Sequence, residues 1–147
     1  MQTHFDNFTL IEFLESDTAK AQRIDNFPTF ADVAHLSELC EDFLQPLRNT
    51  WGSGINVTSG YRSKALNNAV GGSDTSAHRI GYAADLQPAN GRFDDFVKFT
   101  LAWVAKNGIK FDQLLIEHDR KSGARWLHVG LRNNSGHQRM QVKNIDL

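Results

Sequence analysis

The chain has 147 residues, 40% of them hydrophobic and 22% charged, the make-up of one globular domain long enough to bury a real core. A formal charge of −1 with no basic block leaves a nucleic-acid partner without electrostatic support. The single cysteine excludes an internal disulfide and a multi-cysteine zinc site, and no run approaches the length of a membrane span.

In chain order, residues 8–24 (FTLIEFLESDTAKAQRI) begin with a short helix, and Asp17 or Thr18 is placed to cap a second turn. No charged-then-apolar stretch at the start reads as a secretory signal. Pro28 breaks the pattern by restricting the residue before it. From Thr29, a plausible N-cap, Phe30, Val33, Leu36, Cys40, Phe43, Leu44 and Leu47 recur at three- and four-residue steps. That is the signature of an amphipathic helix, with Cys40 on its buried side and Pro46 set to kink its last turn. "TWGSG" ends it, and "INVTSG" reads as a short strand. Ser63 caps a small helix that closes at Gly71–Gly72.

"AADLQ" reads as a strand and residues 92–108 as an amphipathic helix ending at Gly108. "FDQLLIE" and "RWLHVGL" read as two strands joined by the turn "HDRKSGA", and "RMQVKN" as an edge strand. The order predicts an α+β fold: a small, mainly antiparallel sheet with helices packed on one face. The helical part covers about residues 8–50 and the core that carries the chemistry about 55–131, in a single domain, 1–147.

Strand side chains alternate between faces. The face bearing Leu127, Val129 and Leu131 must be core, so Trp126 and His128 emerge on the other side. The same assignment puts Gln113, Leu115 and Glu117 opposite Leu114 and Ile116, and Asp85 opposite Ala84 and Leu86. Asp85, Gln113, Glu117, Trp126 and His128 then share one polar face.

His78 and Asp85 stand seven residues apart across a turn at Gly81, among small residues that allow close backbone approach. With His128 they offer two nitrogens and one oxygen, and three protein ligands plus water make an open, catalytic zinc site. The ordinary alternative for any one of the six histidines is a surface or hydrogen-bonded role. His4, His35 and His137 read as solvent-facing, and His118, near a turn, is ambiguous.

The run "VTSGYRS", an Asn, "VGG", "SAHRIGYAAD", "FDQLLIE" and "WLHV" resembles the zinc D-Ala-D-Ala carboxypeptidase-like peptidases. Their fold group includes lysostaphin and the hedgehog signalling domain. The N-terminal "FTLIEFLESDTAKAQRIDNFP" and "LQPLR" are similar too, so the resemblance runs from Phe8 to about Leu131, to the branch common in phages and prophages. It implies one zinc ion bound by His78, Asp85 and His128. It also implies that Arg62 holds a substrate carboxylate or the developing oxyanion, for which a two-pronged guanidinium is suited.

Ser76, two residues before the first ligand, would orient the ligand loop or touch substrate, its ordinary role being a turn serine. Trp126 would wall the cleft or serve packing. Many relatives carry the general base three residues before the last histidine, where this chain has Arg125. Glu117, the acid expected on the same face, is the candidate base. Asp112 and Asp119 are less favoured.

The implied substrate is the peptide stem or cross-bridge of bacterial peptidoglycan, cut by a carboxypeptidase or an endopeptidase. The enzyme would be a monomer, held in the host cytoplasm until lysis or carried in a virion. The alternative is a non-catalytic zinc module of the same fold, serving recognition or virion structure.

Overall fold

A computed structural model describes all 147 residues, Met1–Leu147. The first third is helical. In α1 (Leu10–Leu14) the Thr9 N–H donates to the Glu12 carboxylate at 3.1 Å. In α2 (Asp17–Gln22) the cap is Ser16, not Asp17 or Thr18: Ser16 has the extended backbone an N-cap needs, and its hydroxyl accepts from the Ala19 N–H. Thr29 caps α3 (Phe30–Leu39) as expected, exchanging hydrogen bonds with Asp32.

A single π turn, Cys40–Leu44, joins α3 to α4 (Gln45–Trp51). Pro46 has no N–H to give to the turn before it. The disturbance expected there falls just upstream, where the Gln45 N–H reaches back to the Cys40 carbonyl. Leu36, Leu39, Cys40, Phe43, Leu44 and Leu47 are buried, but Phe30 is 79% exposed. The apolar stripe runs off the core at its N-terminal end, where Val33 is already only half-buried.

The sheet contains β1 (Ile55–Ser59), β2 (Ala83–Pro88), β3 (Gln113–His118), β4 (Arg125–Gly130) and β5 (Gln141–Asp146), in the order β1-β2-β4-β3-β5. β1–β2, β2–β4 and β3–β4 are antiparallel, the last as the expected hairpin. β5 pairs parallel with β3, so the sheet is mixed. The loop after β4 returns to the start of β3, where the Met140 and Gln141 N–H groups donate to the Phe111 and Asp112 carbonyls. Short α5 (Lys64–Ala69) is capped by Ser63, and α6 (Phe93–Asn107) links β2 to β3 and ends at Gly108.

One face of the sheet forms a single core with α3, α4 and α6. Leu86, Leu114, Leu127 and Val129 pack there with Phe43 and Phe96. The Trp103 ring meets Phe43 edge-on at 5.3 Å between centroids. Burying this apolar layer turns the other face outward and leaves it to chemistry. His35 is not solvent-facing: its ring stacks on Tyr82 at 4.0 Å and its Nδ1 donates to the Ile80 carbonyl at 2.6 Å.

Candidate metal centre and its cleft

On that outer face lies a cleft of about 640 Å³ whose floor includes Asp85, Leu115, Glu117, Trp126 and His128. Alternation on three strands accounts for the set, because Asp85 pairs with His128 and Glu117 with Trp126 across the ladders. His78 comes from elsewhere, a 3₁₀ turn (Ala77–Ile80) capped by Ser76, whose hydroxyl accepts from the His78 N–H at 3.3 Å. Gly81 closes that turn at φ +82°, and a Cβ there would lie 2.4 Å from the Asp32 carbonyl oxygen. Only glycine lets the turn seat so close to α3.

His78, Asp85 and His128 are all buried and each offers a ligand atom, all within 4.8 Å of one another. His78 Nδ1 is 2.7 Å from the Gly60 carbonyl oxygen. A carbonyl only accepts, so Nδ1 carries the proton and burial holds the ring toward its neutral form. Nε2 then presents a bare lone pair to Asp85 Oδ1 at 3.2 Å, while His128 Nδ1 approaches the same oxygen at 3.1 Å. Burial alone would raise the Asp85 pKa, but the two imidazoles, when either carries a proton toward Oδ1, hold it well below the usual carboxylate range.

A lone pair facing an ionised carboxylate is an arrangement a cation resolves. Two imidazoles and one carboxylate are a donor set that suits zinc, and the Gly60 carbonyl behind His78 is the outer partner a ligating imidazole needs. The residues present therefore fit a zinc ion.

Arg62 stands at the rim of this group. Its Nη2 is 3.6 Å from Asp85 Oδ2, its Nε donates to Ser59 Oγ and its Nη1 to Asn67 Oδ1, both at 3.3 Å. Burial lowers its pKa and Asp85 offsets that; a guanidinium stays charged regardless. Glu117 Oε1 is 3.8 Å from His128 Nδ1. Its pKa is raised, first by burial and then by the Asp85 charge, with His128 acting against both.

Ser76 and Trp126 also line the cleft. His118 does not; it faces Asp146 at 3.6 Å on the surface. Asp119 accepts from Ser122 and Lys121 and so holds the β3–β4 turn. His4 and His137 are exposed.

Three contributors escape a reading of the sequence. Asn67, 1% exposed, steadies Arg62 and donates to the Ser73 carbonyl; its burial has no mark in a helix of six residues. Gly60 supplies the carbonyl behind His78, and its own Cβ would stand 2.5 Å from the Phe13 carbonyl oxygen. Arg139 grips the buried Asp112 at 2.7 and 2.9 Å, and both line the cleft.

Compared with known families, the chain matches the family model described as Peptidase M15 over residues 6–125. The match takes in Arg62, His78, Asp85 and Glu117 and stops short of His128. No curated protein matches the chain.

Proposed function

The chain belongs to the M15 peptidase family, and from that premise we propose that it is a zinc metallopeptidase acting on the peptides of bacterial cell-wall peptidoglycan. It would serve as a D-Ala-D-Ala carboxypeptidase or a stem-peptide endopeptidase, of phage or prophage origin. The observation that carries the reading is the convergence of His78 Nε2, the Asp85 carboxylate and His128 Nδ1 on one point at the floor of an open cleft. One core that runs from Phe5 to Leu131 supports taking residues 1–147 as one peptidase domain.

His78, Asp85 and His128 would hold one zinc ion. Bound zinc supplies Lewis acidity, bringing the pKa of water to about 7 and polarising a carbonyl. The chain's own residues do the rest. Glu117 Oε1 would accept the proton of the attacking water and return it to the leaving amine, a task its raised pKa favours. The Arg62 guanidinium would meet the negative charge that develops on the substrate carbonyl oxygen, or a substrate carboxylate. Trp126 would wall the cleft. Ser76 would hold the turn of the first ligand and present its hydroxyl to substrate.

A second reading, a zinc module of this fold that binds without cleaving, is favoured by the sequence position three before His128, which holds Arg125, turned away from the cleft toward Asp94, and no acid. Digestion of purified peptidoglycan separates the two. Release of D-Ala or of new amino groups, lost with chelator and restored by zinc, is expected of the peptidase. Binding of one zinc equivalent without cleavage across several wall types would favour the module.

A further inference from the structure

We propose that Asn26 is a positioning residue for Arg62, an inference that rests on the catalytic role just assigned to that arginine. Asn26 lies between α2 and α3 and does not line the cleft. Its Nδ2 donates to the carbonyls of Leu14 and Tyr61, each at 3.0 Å, and its Oδ1 accepts from the Ser63 N–H at 2.7 Å.

The Tyr61 carbonyl belongs to the peptide unit before Arg62, and the Ser63 N–H to the unit after it. One rigid side-chain amide therefore pins both peptide planes that set the φ and ψ of a single residue. The third bond anchors the clasp to the end of α1.

Arg62 needs such a clasp. Its guanidinium sits at the end of a long, rotamer-rich side chain, so a small tilt of the backbone is amplified at the tip. The tip contacts Ser59 and Asn67 at the outer limit of hydrogen-bond length and Asp85 at 3.6 Å. These contacts alone hold it loosely. The backbone is further tied by Arg62 N–H to the His78 carbonyl at 3.0 Å, which links the same loop to the first ligand's turn. Asn26 thus acts on the cleft through Arg62 without touching it.

A double-mutant cycle on the zinc-loaded whole chain tests this, with purified peptidoglycan as substrate. Asn26→Ala should lower kcat/KM by about 10- to 100-fold, the scale of an ångström-sized misplacement, with zinc content unchanged. In an Arg62→Ala background the same change should have almost no further effect; equal losses in both backgrounds would overturn the proposal.

A readout free of activity is the Arg62 Nε–H resonance in a ¹H–¹⁵N spectrum. It should be sharp in the unaltered protein and broadened in Asn26→Ala. An unchanged resonance would overturn the proposal even if no peptidase activity is found, an outcome that by itself defeats only the functional reading. If Asn26→Ala does not fold, Asn26→Asp keeps the acceptor for Ser63 and removes both donors, and the same signs apply. Failure of both to fold would make Asn26 a folding determinant and end the proposal.

Discussion

Glu117 and Arg125 stand on opposite faces of the sheet, and strand parity decides which of them meets the cleft. Arg125 is three residues before His128, and in a regular strand an odd offset changes face. Its side chain leaves the cleft, pairs with Asp94 at 2.9 Å and lies 4.8 Å over the Phe93 ring. Glu117, on the neighbouring strand, stays on the cleft side. Glu117→Gln should therefore retain zinc and lose turnover by about 10²- to 10⁴-fold, the range for general-base groups; zinc content and the initial rate on peptidoglycan check the two halves. Arg125→Ala should leave the rate within a few-fold. His128→Ala removes a donor, and both bound zinc and activity should disappear.

At the scale of elements, the Asp112–Arg139 pair fastens the segment before β5 to the start of β3. The Asp112 carboxyl is buried, which alone would raise its pKa, but Arg139 holds it below the ordinary value. A carboxylate depressed in the folded state stabilises it above the unfolded pKa, about 3.9, and that contribution is lost as pH falls through the folded value. Asp112→Asn should be less stable than the unaltered chain at pH 7, by roughly 1–3 kcal/mol, with the gap closing below about pH 4. Urea titrations across that range measure it. Gly60→Ala should be costlier than its size suggests, because the added methyl meets the Phe13 backbone; a fall in Tm with reduced zinc affinity is the expected outcome.

The strands that frame the cleft were legible because Leu127, Val129 and Leu131 alternate with Trp126 and His128, and burying one set exposes the other. β5 was legible as a strand but not in its direction. Its Val142, Asn144 and Asp146 alternate with Gln141, Lys143 and Ile145, so neither face is apolar enough to specify a register. The π turn and the exposure of Phe30 depend on where the core ends, which periodicity does not report. The clasp by Asn26 joins residues 12 to 37 positions apart, which no local pattern announces, and the bonds of Asn67, five and six residues away, form inside a turn whose period does not mark that side chain as buried.

For the whole molecule, one hydrophobic layer carries the fold, and the His78, Asp85 and His128 side chains gather on its outer face. Phe43→Ala, in the fully buried layer, should cost about 3–5 kcal/mol, read from chemical denaturation. Metal adds to that through mass action. Free zinc at 100 times its Kd should stabilise the chain by about 2.7 kcal/mol, visible as a fall in Tm on chelation that His128→Ala does not show. No helix is long and apolar enough to cross a membrane. Family membership makes a metallopeptidase acting on peptides the reaction class.

The most direct test is diffraction from zinc-soaked crystals at the zinc absorption edge. One anomalous peak bonded to His78 Nε2, the Asp85 carboxylate and His128 Nδ1, with its remaining side open to the cleft, is the predicted result. A zinc peak held by other residues, or no peak at saturating zinc, would contradict the account.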